Sequence, residues 1–432
     1  MRPLIIVLLA TSALFQNAQA QTSGVKAVVE QLEGNPSLAA AIAREEAATV
    51  DIEIARAVKR PQLRGDAEIG YLRETLSLPA PLEPGGPSSF TGDREPMRIG
   101  VGVEQLLYDQ GVSTSGINLA ETNKQAAAFE TKALKQDLYL ATATALLNVR
   151  FNLGLVEERE LALQLSEVRL DDITARRNAG LATVTDISQA KARRALALAE
   201  LAEAKRTFRN VQNDLRRLTG KTDMMTNLVV PESRVFVPSE SRVLLQEALL
   251  NNPTYLAAKA RAEGSAFAVD QAKGQDGPQI LFVAEAGYAR DERFGLQLGE
   301  AEQVGAFIRG TWRFGTGGAR TARIQRSRAL QQASTLDLDA VRRQLDDDIR
   351  SILADIEAAD AAIEARQLQL EAALTAQEGV ALEVETGRRT ELDQLDADRT
   401  VATARVELRR AETAWQVASL NLERLIGALS DQ

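Results

Sequence analysis

The chain contains no cysteine and no histidine. Without cysteine there is no disulfide framework, and no lipidated cysteine can cap a mature N-terminus. Losing both residue types also removes the usual zinc, copper and haem ligands and the commonest general base. Enzyme chemistry would have to rest on serine, lysine or carboxylates alone. No spacing gathers these for it, so the chain reads as a non-enzyme with no cofactor. Positive charge is not in surplus either, since 51 Lys and Arg stand against 60 Asp and Glu, a net charge of −9. Arg and Glu are interleaved instead of forming a basic patch, which argues against nucleic acid as a partner.

Long hydrophobic runs are scarce. The one from Leu4 to Leu14 is too short to span a bilayer. It follows Met1-Arg2 and precedes Ala18-Gln19-Ala20, the order of a secretory signal peptide, so residues 1–20 are expected to be removed on export. Proline is missing from Met97 to Val230 and again after Pro278. An interior proline removes a helix hydrogen bond and clashes with the preceding turn, so such gaps permit very long helices. Ala, Leu, Glu and Arg, all strong helix formers, fill them. Helices are predicted over about 112–179 and 320–386, each on the order of 100 Å at 1.5 Å of rise per residue. Both end at a glycine, Gly180 or Gly387, suited to a left-handed cap, and a shorter helix turns back from each. Val341, Leu345, Ile349, Ile352 and Ile356 form one apolar stripe spaced for coiled-coil packing.

Much of the chain is said twice. Asn35-Pro36, Pro61-Gln62 and Gly70-Tyr71 recur as Asn252-Pro253, Pro278-Gln279 and Gly287-Tyr288. Gly180-x-x-Thr183-x-x-Asp186 returns as Gly387-x-x-Thr390-x-x-Asp393, and Leu218-Thr219-Gly220 returns as Leu425-Ile426-Gly427. Displacement is constant within each group, which marks a tandem duplication with one loop shortened in the second copy. The predicted organisation is a signal peptide at 1–20, a first repeat at 21–220, a linking segment at 221–240 and a second repeat at 241–432.

Ahead of each long helix the apolar period changes to two. Ala67, Ile69 and Tyr71 alternate with polar or small residues, as do Ile99, Val101 and Val103, and then Ala284, Ala286 and Tyr288. These are strands with one apolar face. The prolines and glycines between Pro79 and Pro87 read as the loop of the first strand pair, and Asp291 to Glu302 as the shorter loop of the second. Aromatics make up only 4% of the chain, and they gather in these two windows. That fits the girdles of a membrane barrel or the core of a small soluble sheet. Four strands from one chain cannot close a membrane barrel, so the first reading requires several copies. The second makes the protein a soluble periplasmic or secreted coiled-coil scaffold.

Taken in order, these features resemble the TolC family of outer-membrane channel proteins over essentially the whole mature chain. The duplication, the Asn-Pro opening of each half, the strand exits at Gln105–Gly111 and Trp312–Gly318, the Gly180 and Gly387 turns and the Leu-x-Gly ends carry the resemblance. It implies a mainly α fold with a membrane β part. Three copies would give four strands each to a twelve-stranded barrel, continued through the periplasm by an α-helical tunnel. It further implies an outer-membrane exit duct for type I protein secretion or small-molecule efflux. The partners would be a periplasmic adaptor protein and an inner-membrane ABC or proton-driven transporter.

The resemblance also places a closable end at the hairpin tips. Matching its residues gives Thr185 and Asp186 after Gly180 and Arg389 after Gly387 as a lock, in which guanidinium and carboxylate pair across neighbouring helices. The family's tyrosine of this network falls on Val384. Asp393 and Asp396 fall where the family sets acidic residues around the tunnel axis, a ring that would favour cations. From the residues alone a second role is open, because acidic side chains at Asp186, Asp393 and Asp396 also stabilise the start of a returning helix. Gly180 and Gly387 themselves would lie at the tip that meets the adaptor.

Overall fold

The computed structural model describes residues 34–77, 89–220, 240–293 and 296–430. The expected signal segment, the loop between Pro79 and Pro87 and nearly all of the 221–240 link lie outside them. The chain divides into two compact units, one of residues 1–44, 128–257 and 339–432, the other of 45–127 and 258–338. Each draws on both sequence copies.

The first unit is helical. It takes in most of α2 (Val112–Asn178), α3 (Val184–Thr219), α4 (Ser241–Asn251), most of α6 (Ala319–Glu385) and α7 (Glu391–Leu425). Both long helices begin and end within a residue or so of their predicted bounds, because the proline gaps and the closing glycines fix them from the sequence. The α6 stripe packs inward as its spacing requires, with Leu345, Ile349 and Ile356 buried against Leu244 of α4 and Leu422 of α7. Tyr139, Leu146 and Leu147 of α2 form a matching cluster with Leu215 and Leu420. Thinner contacts hold each hairpin further along: Val156 with Leu201 and Ala204 in α2/α3, and Ala373 with Val401 and Ala404 in α6/α7.

The repeated Asn-Pro and Leu-x-Gly motifs meet in space. Asn35 accepts from the Ser37 amide at 2.9 Å and opens α1 (Pro36–Ala57), while its Nδ2 donates to the Leu218 carbonyl at 3.2 Å. Asn252 accepts from the Tyr255 amide at 2.9 Å and opens α5 (Pro253–Gly274), while its Nδ2 donates to the Leu425 carbonyl at 3.0 Å. One side chain thus caps the helix that follows it and ties that helix to the end of the last long one of its copy. Proline in the first turn, where no amide partner is needed, suits that junction.

The second unit holds the sheet. β1 (Gln62–Ile69) pairs with β4 (Met97–Tyr108), β4 with β5 (Gln279–Arg293), and β5 with β6 (Leu296–Thr311), all antiparallel. β2 (Leu72–Ser77) and β3 (Ser89–Arg94) form a hairpin that prolongs β1 and β4 beyond breaks at Gly70-Tyr71 and Glu95-Pro96. Proline has no amide to give the ladder, and the Gly70 amide spans the break by donating to the Pro96 carbonyl at 3.0 Å. Four strands are therefore present as six segments. Among the described residues β1 and β6 each pair on one side only.

One expectation is corrected. The described part of Asp291–Glu302 is strand and not loop: β5 runs to Arg293 and β6 covers the stretch from Leu296, with Arg290 opposite Glu300 and Asp291 opposite Gly299. Opposite charges facing each other across a ladder stabilise it, so a stretch that composition marks as loop stays in the sheet.

The register sorts the side chains into two faces. Leu63, Ala67 and Ile69, Ile99, Val101 and Val103, Ala284 and Ala286, and Val304 and Ile308 lie on one. Arg64, Asp66, Glu68, Arg98, Gly100, Gly102, Glu104 and Glu285 lie on the other. The apolar face is open, with Leu63 85%, Val101 64%, Val304 86% and Ile308 73% exposed. At the strand exits Trp312 and Phe314 pack with ring centroids 4.4 Å apart.

Candidate functional site at the hairpin tips

Each tip is a short turn that every letter of the repeated Gly-x-x-Thr-x-x-Asp motif helps to build. α2 ends with Gly180 at φ 80°, the Gly180 amide donating to the Arg177 carbonyl at 3.0 Å and the Leu181 amide to Arg176 at 2.8 Å. α6 ends alike, with Gly387 at φ 74°, its amide on the Val384 carbonyl at 3.0 Å and the Arg388 amide on Glu383 at 2.8 Å. This paired bonding ends a helix through a left-handed residue, which glycine adopts without a Cβ penalty.

Three residues later the returning helix is capped. Thr183 Oγ1 accepts from the Asp186 amide at 3.1 Å, and Asp186 Oδ2 accepts from the Thr183 amide at 2.7 Å and its hydroxyl at 2.8 Å. Thr390 and Asp393 repeat this at 3.3, 2.8 and 2.7 Å. Two orphan amides of each helix are satisfied reciprocally. The Thr183 amide, then its hydroxyl, holds the Asp186 carboxyl below the usual carboxylate range. Asp393 is lowered by the same two groups of Thr390, with smaller help from Arg389 and Arg193.

The expected lock residues are therefore placed as follows within one chain. Thr185 is exposed, and Asp186 is engaged in its cap. Arg389 is exposed and pairs through Nε with Glu383 Oε2 at 2.6 Å, on its own hairpin. Val384 is buried in the α6/α7 hairpin at 7% exposure. Asp396 binds the Arg193 guanidinium, with Nη2 to Oδ2 at 2.9 Å, and so ties α7 to α3.

Sequence reasoning passed over Glu391. This first residue of α7 is 8% exposed, and its carboxylate takes Arg169 Nη1 at 2.9 Å and Arg176 Nη2 at 2.6 Å, both from α2. A signal was there. Glu391, Gln394, Leu395, Val401 and Ala404 share the buried phase of α7, so an acid stands where the stripe calls for an apolar residue. Among the described residues no group of His, Cys, Asp or Glu is arranged to hold a metal ion, and no helix is long and apolar enough to cross a membrane.

Comparison with known proteins gives this geometry its context. The profile of the Outer membrane efflux protein family matches residues 27–221 and 244–428, that is, both copies. The chain belongs to that family. Outer membrane efflux protein BepC of Brucella suis biovar 1 (strain 1330) is 25% identical over 427 residues, covering 98% of this chain and 89% of the relative. Outer membrane protein TolC of Vibrio cholerae serotype O1 is 25% identical over 410 residues, covering 93% and 89%. Among solved structures, CusC superposes with a TM-score of 0.79 at 17% identity, covering 94% of this chain and 92% of the other. VceC of Vibrio cholerae superposes with a TM-score of 0.75 at 22% identity, covering 94% and 96%. The fold, mainly helical with four strands per chain and doubled in tandem, is that of outer-membrane channels, and this family member is an outer-membrane protein. The soluble-scaffold reading falls with that assignment.

Proposed function

We propose that this chain is the outer-membrane exit duct of a tripartite export system, a passive trimeric channel. The two-faced sheet carries the reading. Its apolar face is bare, its other face carries most of the sheet's charged and glycine residues, with Val283 and Phe307 among them near the strand exits, and among the described residues its two outer strands have free edges. Lipid hydrocarbon tolerates no open strand edge, so β1 of one copy must pair with β6 of the next until the ring closes. Three copies pool their strands into one twelve-stranded barrel around a polar bore, and the helical hairpins of repeats 21–220 and 241–432 form a tunnel. Efflux is in the family's name and in that of the Brucella relative. A periplasmic adaptor meeting the tips near Gly180 and Gly387, and an inner-membrane ABC or proton-driven pump behind it, supply cargo and energy. Protein and small-molecule cargo both fit a bore without catalytic groups.

The tips close the periplasmic end. Arg389 and Asp186 are both accessible there, and a link between them across subunits would trade the present Glu383 partner for an intersubunit one. Asp393 would turn its second oxygen to an acidic ring while the first serves its cap, whereas Asp396 would join a ring only as Arg193, which holds both of its oxygens, lets go. Purified protein should migrate as a cross-linkable trimer and give discrete conductance in planar bilayers; a soluble monomer without conductance rejects the duct. Arg389→Ser or Asp186→Ala should raise the conductance, and the double change Asp393→Ala with Asp396→Ala should weaken block by a trivalent cation.

A further inference from the structure

We propose that Glu391 is an intramolecular latch that holds the second hairpin (α6/α7) on the first (α2/α3), and that its release frees the second tip to move. The proposal rests on the duct reading, in which the tips form the closable end, and adds a positioning residue that the expected lock does not contain.

Position is the first argument. Glu391 directly follows Thr390, the residue that caps α7, so it sits at the pivot of the second turn. Its two partners, Arg169 and Arg176, lie near the end of α2, just before the first turn. Glu391 at the start of α7 and Arg176 in the last turn of α2 each match the local macrodipole, so both are favoured in place.

Burial is the second. The Glu391 side chain is 9% exposed, and each of its oxygens takes one guanidinium, at 2.9 and 2.6 Å. Removing the arginines leaves the Glu391 carboxylate uncompensated in a shielded site, which is strongly unfavourable, and removing Glu391 leaves Arg169 with only Asp172 at 3.7 Å and Arg176 turned to solvent. The neighbouring ties between the hairpins are of another kind. Arg193 with Asp396, and Arg399 with Glu200 at 3.1 Å, have half-exposed members and contribute little. Glu158, though buried, has Arg405 and Arg409 only at 3.9 and 3.6 Å, and its Oε2 has no hydrogen-bond partner.

Packing is the third. Behind the latch the two hairpins do not close on each other. A cavity of about 320 Å³ opens there, walled by Leu161, Leu165 and Leu196 of the first hairpin and Leu395 and Val401 of the second. Apolar contact at the tip end is correspondingly thin, and the charged contact at Glu391 is what fixes the spacing. Interfaces of this kind have discrete arrangements, and losing the close buried tie at Glu391 shifts the population toward separation.

The absence of cysteine makes the test clean. Spin labels at Asp171→Cys and Arg388→Cys report the distance between the tips, and labels at Lys135→Cys and Glu412→Cys report α2 against α7 far from them. Labelled chains are diluted into unlabelled ones so that only distances within one chain are read. Glu391→Gln keeps the size and removes the charge. The tip distance should shift outward and broaden while the control distance stays put. No shift at the tip overturns the proposal, and so does an equal shift in both pairs, which would make Glu391 a general stabiliser. If Glu391→Gln fails to fold, Arg169→Gln with Arg176→Gln is read in the same way. These distances do not depend on conduction, so a wild-type protein that forms no channel defeats the duct reading without touching the latch. A latch that opens without raising bilayer conductance limits the proposal to structure and removes its role in gating.

Discussion

Asn252 holds two helices at once, its Oδ1 capping α5 at the Tyr255 amide and its Nδ2 bonded to the Leu425 carbonyl at the end of α7. Asn35 does the same in the first copy, in a more open setting. Asn252→Ala removes a cap and leaves a buried carbonyl unpaired, for a cost of about 2 kcal/mol. Asn35→Ala should cost less, because water can reach its carbonyl. Denaturant unfolding of the detergent-solubilised protein ranks the two; an equal or reversed ranking removes this account of the repeated Asn-Pro.

That bond separates what the sequence carries locally from what only the fold brings together. Helix bounds near Val112, Gly180, Ala319 and Gly387 were legible because local chemistry sets them, proline by exclusion and glycine by its left-handed φ. The Gly-x-x-Thr-x-x-Asp repeat is legible for the same reason, since all its bonds lie within seven residues. Partners far apart in sequence were not. Nothing local says that Asn252 meets Leu425, that Glu391 meets Arg169 and Arg176, or that the charges of Arg290 and Glu300 face each other across a ladder. Composition read that last stretch as a loop because it sees polarity and not register. The lock expected at Asp186 and Arg389 likewise depends on subunit neighbours, and within one chain both residues take local partners instead.

Gly180 and Gly387 have nothing within 4 Å of where a Cβ would sit, so an alanine there meets no clash and pays only for its backbone conformation. A left-handed φ costs a Cβ-bearing residue roughly 1–2 kcal/mol. Gly180→Ala should therefore speed local opening of its tip about tenfold, with asparagine at the same position milder. Hydrogen exchange of amides 181–186 measures this. Unchanged exchange would mean that the turn is not held in the left-handed form.

The capping boxes carry a pH dependence of fixed sign. Asp186 and Asp393 have folded pKa values depressed chiefly by the amide and then the hydroxyl of the capping threonine. A depressed carboxyl contributes stability that is complete above the ordinary Asp value of about 3.9 and is lost as pH falls through the lower folded value. Exchange protection at both tips, corrected for intrinsic rates, should stay flat from pH 8 to 5 and fall only below about pH 4. Thr183→Ala should lower that protection at the first tip at neutral pH. A transition near pH 6 would point to another group.

The two faces of the sheet make the last prediction and bear on the membrane assignment directly. Val101 lies on the apolar face, opposite Gly65 on β1 and Ala286 on β5, and is 64% exposed. Its neighbour in sequence, Gly102, lies on the polar face opposite Glu285. An arginine facing lipid near mid-depth costs about 2–4 kcal/mol, whereas the bore side is wet. Val101→Arg should therefore sharply reduce the heat-modifiable trimer recovered from outer membranes. Glu285→Gln should leave that yield intact and change only the conductance or its ion preference. A strand rotated by one register position would exchange these results, because side-chain direction alternates at every residue. Loss of assembly in Glu285→Gln with normal assembly in Val101→Arg would thus turn the sheet inside out and refute the bore assignment.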